Sequence, residues 1–182
     1  MSSPAPLLLD LSRRYCEPHR RYHTIGHIAQ MLWQGRELAL TDEQVMAIWY
    51  HDAIYRVPSR TNERDSAQLA VAQLTALGWP SARVDAVERM VLDTEGHEPT
   101  IESSAAVLDL DLASLAADWE VFDSNSADIR AEYQHLDEAT YQREERAVFE
   151  RFLARTSIFH TPWGTKLEAK ARANLQRALG KK

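Results

Sequence analysis

Ile48-Trp49-Tyr50-His51-Asp52-Ala53-Ile54-Tyr55 sets a histidine and a carboxylate side by side inside an apolar, aromatic run. Adjacent side chains on a helix project about 100° apart, so the two rarely serve one structural purpose. Burying both is costly unless each is satisfied. One divalent cation would satisfy both, because imidazole and carboxylate are ordinary ligands of Zn-, Mn-, Fe- and Mg-type ions. Just upstream, Thr41-Asp42-Glu43-Gln44 fits a capping box and predicts the start of the helix that carries His51 and Asp52.

Outward from this stretch the chain reads as helices joined by short loops. Six glycines and scarce alternating patterns predict an all-α fold, one compact helical bundle spanning residues 1–182. A first helix is expected over Leu7–Tyr15, interrupted by Pro18, with a basic loop after it. Thr24 is a good cap for a helix running to about Leu40, with His23 and His27 four residues apart. Tyr55–Arg60, with Pro58, reads as a loop. Asn62 reads as the cap of a helix ending near Gly78, and Pro80 and Ser81 as the start of one reaching about Asp93. Glu95–Ser103 is a loop holding His97, and Ser104 opens the segment Leu108-Asp109-Leu110-Asp111-Leu112. One or two helices fall between Asp118 and Leu136, a long charged one over Asp137–Arg155, and a last one from about Gly164 to Leu179. No repeat or linker divides the chain.

The totals bound the function. A length of 182 residues suits a single domain with a real core. A net charge of −6 argues against a general nucleic-acid binder and requires a local basic pocket for any phosphate ligand. The single Cys16 excludes an internal disulfide and fits a reducing cytoplasm, the expected location. Met1–Asp10 has no basic leader and an apolar run of only three leucines, so neither a signal peptide nor a membrane span is expected.

The order of histidine, then His-Asp, then a distant Asp resembles the HD superfamily of metal-dependent phosphohydrolases. A bacterial subgroup of HD proteins is similar in further landmarks: Glu17-Pro18-His19-Arg20-Arg21-Tyr22-His23, Asn62-Glu63-Arg64-Asp65-Ser66-Ala67, Thr94-Glu95-Gly96-His97, Ile129-Arg130-Ala131-Glu132-Tyr133 and Ala171-Arg172-Ala173-Asn174-Leu175. The resemblance implies an HD-type helical domain with the metal ligands His27, His51, Asp52 and Asp111. Asp109 and Asp111 both precede a leucine, so the register of the last ligand stays open between them. The implied activity is hydrolysis of a phosphate ester, of a nucleotide or another small phosphorylated metabolite, with one divalent ion (Mn, Mg, Co, Ni, Zn or Fe). The implied assembly is a monomer or homodimer. The alternatives are a two-iron oxygenase of HD type and a non-catalytic module that keeps metal or nucleotide binding.

Other candidates surround this set. Asp52 is expected to hold the attacking water as well as the metal. His97 is expected near the metal with a catalytic role; the alternative is an exposed loop histidine. Many HD hydrolases carry a Glu within a turn of the His-Asp pair. Tyr55 stands three residues after Asp52 instead, so Glu63 is the nearest replacement as general acid or water-positioner, or else an ordinary acidic residue favoured by a helix N-terminus. His23 is a substrate-phosphate donor, a second-metal ligand or a group behind the ligands. Arg20 and Arg21 suit bidentate clamping of phosphate; otherwise they form a solvated basic turn.

Overall fold

The Thr41 hydroxyl accepts from Gln44 N while the Gln44 side chain accepts from Thr41 N, so the expected capping box forms and a helix follows it. In the computed structural model, which describes residues 5–180, this is α3, Asp42–Tyr50. Before it come α1, Ala5–Arg14, and α2, Ile25–Gly35; after it come α4, Asn62–Ala76, α5, Ser81–Asp93, and α6, Ser104–Leu112. A 3₁₀ turn at Ala113–Ala116 leads to α7, Trp119–Glu132, α8, Glu138–Ala154, the single-turn α9, Pro162–Thr165, and α10, Glu168–Gly180. The described residues contain no strand, so the fold is all-α. Of the N-terminal stretch read for a leader, Met1–Pro4 lie outside the described residues, and Leu7–Leu9 belong to α1. No helix among the described residues is long and apolar enough to cross a membrane.

Thr24 caps α2 by accepting from Gly26 N. Gly78 sits at φ +80 just past α4, the left-handed conformation that ends helices and that glycine adopts without strain. Four expectations need correction. α2 stops at Gly35 rather than near Leu40, because Leu40 folds back over Gly35 where any side chain would collide with it, and Ala39 turns the chain at φ 47. Asn62 is the first residue of α4 and not its cap. Its amide instead closes the preceding loop, accepting from Arg56 N at 3.1 Å and donating to Arg56 O at 3.0 Å. His51 is the residue that ends α3, and Asp52 lies in the turn beyond it rather than on the helix. The last helix is broken after α9, where Glu168 turns to accept from Ile158 N and Phe159 N.

Two apolar clusters build the interior. Leu11, Tyr15, Ile28, Met31, Ile48, Leu74 and Met90 join α1 to α5. Leu112, Phe122, Phe149, Phe152, Ile158 and Leu175 join α7, α8 and α10. Both reach α6, whose Val107, Leu108, Asp109, Leu110 and Leu112 are all buried. A helix apolar on every side must sit in a core. Truncating one of its leucines to alanine would cost about 2–5 kcal/mol. The acidic residues of α6 are therefore held between the two clusters.

Candidate metal centre and its cavity

Three ligand atoms converge from three helices: one each from His27 on α2, His51 at the end of α3 and Asp111 on α6, all within 4.8 Å of one another. His27 Nε2 lies 3.0 Å from Asp111 Oδ1, and His51 Nε2 lies 3.6 Å from the same oxygen. Metal–ligand bonds of about 2.0–2.2 Å place neighbouring ligands roughly 3.0–3.5 Å apart, so the spacing suits a single ion. His51 Nδ1 donates to Ile48 O at 2.9 Å, which turns Nε2 inward, where it can bind an ion once its proton is released. That Nε2 is buried and makes no well-formed hydrogen bond, although Asp52 Oδ2 lies 3.1 Å away. A buried, unpartnered nitrogen facing carboxylates is what a cation would complete, and the donor set fits one.

Asp52 sits at the edge of this set, with Oδ2 3.1 Å from His51 Nε2 and 3.9 Å from His23 Nε2. The other oxygen of Asp111, Oδ2, lies 3.0 Å from His97 Nε2. His97 is held in the left-handed region, at φ 52, which a side-chain-bearing residue rarely adopts and which tends to mark functional sites. Arg155 fixes it there by donating to His97 O at 3.0 Å and Gly96 O at 2.6 Å. Asp93 anchors the rest of that loop through Thr100 and Ser104.

The electrostatics follow from burial. Burial opposes ionisation of both aspartates, yet His51 and His23 hold Asp52, and His51, His27 and His97 hold Asp111, well below the usual carboxylate range. Burial likewise opposes a charged His51, but Asp52 and Asp111 outweigh it and push the ring up to about 9. Two buried negative charges are thus balanced by protons on histidine, and a divalent cation carries the charge to replace those protons. Glu63 moves the other way: burial and the nearby Asp52 raise it, as suits a group able to carry a proton.

The other candidate residues divide. Asp109, two residues before Asp111, faces away from the histidines and accepts from His160 N, Thr161 N and Thr161 Oγ1 at 2.6–2.8 Å. Any side chain at Gly164 would run into it. It ties α9 to α6. Arg20 does not reach the cavity. Its guanidinium is buried, donating to Glu17, His23 O, Asp52 O and Ala53 O and lying over the Tyr15 and Tyr55 rings. The expected phosphate clamp is instead the brace that shapes the Asp52 turn. Arg21 is exposed and lines no part of the cavity either.

Glu132, the last residue of α7, is a central support of the site for which the sequence assigns no role. Its side chain is fully buried. Oε1 accepts from the backbone N–H groups of Arg21, Tyr22 and His23 at 2.7–3.0 Å. Oε2 meets His23 Nδ1 at 2.6 Å and the Tyr55 hydroxyl at 2.9 Å. Burial alone would raise its pKa, but His23 and those amides draw it down to about 2. The contact orients His23 so that Nε2 faces Asp52.

The centre opens onto a cavity of about 900 Å³ lined by His23, His51, Asp52, Glu63, His97 and Asp111, with walls from the 3₁₀ turn, α7 and α8. Comparison of the chain with protein-family models, with curated protein sequences and with solved structures gave no match.

Proposed function

We propose that this chain is a metal-dependent phosphohydrolase of HD type that cleaves a phosphate ester of a small molecule. One observation carries the reading: His27, His51 and Asp111 converge, with the unpartnered His51 Nε2 among them, beside a cavity of substrate size. His27, His51 and Asp111 would hold the ion, with Asp52 as the fourth ligand. A divalent ion there supplies positive charge against the phosphoryl oxygens and acidifies water. Mn, Co, Mg, Ni, Zn and Fe all accept such nitrogen and oxygen donors.

The side chains divide the remaining work. Asp52, ionised and at the edge of the ligand set, accepts a hydrogen bond from the attacking water and fixes its direction. His23, oriented by Glu132, and His97 present ring nitrogens to the phosphoryl oxygens. Glu63, protonated at the outset, gives its proton to the departing oxygen, and the proton lost by the attacking water passes to solvent and restores Glu63. The test is phosphate release from a panel of phosphomonoesters by protein loaded in turn with Mn, Co, Mg and Ni. Release that is lost in Asp111→Ala supports the reading; no release from any substrate with any ion refutes it.

A second reading has its own observation. His23 faces Asp52, and His97 faces Asp111 Oδ2, so a second set of donors adjoins the first. Two iron ions held this way would suit an oxygenase. The second set is looser and lacks a convergent triad, so the one-ion hydrolase is preferred.

A further inference from the structure

Resting on the phosphate-ester reading, we propose that the substrate is a phosphomonoester carrying an extended apolar arm, alkyl, acyl or aryl, rather than a sugar or a nucleoside. α7 and α8 leave the Tyr133–Asp137 turn and meet through the Phe122 and Phe149 rings, 6.1 Å between centroids, and residues of both helices line the outer cavity. Leu115, Phe122, Ile129, Val148, Phe149 and Phe152 form its wall. Val148 remains 37% exposed, so the apolar surface continues outward beyond the buried phenylalanines. Apolar surface kept open on one side of a cavity is what an apolar ligand covers.

Several polar groups near this wall are engaged with neighbours, although Asn125, Ser126 and His135 also line it. The Tyr22 hydroxyl donates to Ser114 Oγ at 2.7 Å, Tyr141 to Glu145, and Thr140 to Asp137 at 2.8 Å. A sugar or nucleobase laid against the Phe122, Phe149 and Phe152 stretch would lose water without regaining its hydrogen bonds there, and unpaired buried polar groups are penalised steeply. The charges point the same way. The lining holds no lysine and only two arginines, Arg56 and Arg60, both exposed, and Arg56 is already paired with Asp65 at 3.1 Å. That provision suits a single phosphate at the metal end and not a polyphosphate chain.

The test is calorimetric binding of n-alkylphosphonates, from methyl to octyl, to the Mn-loaded protein, with adenosine and ribose monophosphates alongside. The expected Kd falls about fourfold per methylene over the first several carbons, as burial of each group predicts, and binding saturates at one ligand per chain. Methylphosphonate binding as tightly as octylphosphonate, or either sugar phosphate binding more tightly than hexylphosphonate, would overturn the apolar-arm proposal and leave the phosphate-ester reading standing. Binding that never saturates would mark surface adsorption and also overturn it. Failure of every phosphonate and phosphate to bind would overturn both.

Discussion

Glu132→Gln removes one negative charge from a side chain that water does not reach, while keeping its shape. The carboxylate takes five short contacts, three from successive backbone amides. An amide in its place must turn a donating NH₂ toward either those N–H groups, which repel it, or the His23–Tyr55 pair, which must then accept in place of donating and lose the charged partner. The depressed pKa sets the size of the effect. A fall from 4.5 to about 2 corresponds to about 3 kcal/mol of stability at neutral pH, at about 1.4 kcal/mol per unit. The loss of a buried charged partner points to about 3–5 kcal/mol by an independent route. For a chain of this length that shifts Tm by roughly 2–4 °C per kcal/mol, or about 6–12 °C in all. Because the folded pKa lies below the unfolded one, the contribution is present above about 4.5 and fades as pH falls toward about 2. Thermal melts at pH 7, 5, 4 and 3 should therefore show a Tm gap between the native chain and the variant that narrows on acidification. A variant within about 1 °C of the native chain at pH 7, or a gap independent of pH, would refute the assignment of Glu132 as the charged anchor of residues 21–23.

Asp109→Ala should lower stability by about 2–4 kcal/mol, by freeing His160 and Thr161, yet keep metal binding, whereas Asp111→Ala should abolish it; calorimetric titration with Mn beside thermal melts separates the two. Arg20→Ala should destabilise the chain by about 3 kcal/mol or more, and Arg20→Lys should rescue little, because the planar guanidinium serves several carbonyls at once. A change confined to KM would return Arg20 to the phosphate site. Metal affinity should rise with pH up to about 9, by up to about tenfold per unit from His51 alone, because that ring must give up its proton to bind. In the metal-free protein the same raised ring stabilises the fold below about 6.5 and loses that contribution as pH rises through about 9; melts with and without metal should thus diverge toward high pH.

What could be read from the chain was local, or depended on residue type and order. The Thr41–Gln44 box and the Thr24 cap are decided within four residues, and both form. The convergence of His27, His51 and Asp111 was implied by the resemblance that their order carries, and the geometry brings these three together. The misreading of Arg20, the register left open between Asp109 and Asp111, and the role of Glu132 all depend on long-range partners. Arg20 looks like a phosphate clamp until the turn at Asp52 and Ala53, more than thirty positions on, supplies carbonyls to it. Asp109 and Asp111 have the same neighbours in sequence, and what separates them is the arrival of His160 and Thr161. Glu132 meets Arg21–His23 across about 110 positions. Its one local signal was an acidic residue inside Ile129-Arg130-Ala131-Glu132-Tyr133, too common a pattern to mark a buried anchor.

The most direct test of the central claim is elemental analysis of the purified protein, joined to calorimetric titration of the stripped chain with Mn near neutral pH. One divalent ion per chain, tightly held and lost in both His51→Ala and Asp111→Ala, is the predicted result. No binding of any divalent ion would contradict the metal centre outright. Two iron atoms per chain, with substrate-dependent oxygen uptake in place of phosphate release, would contradict the hydrolase.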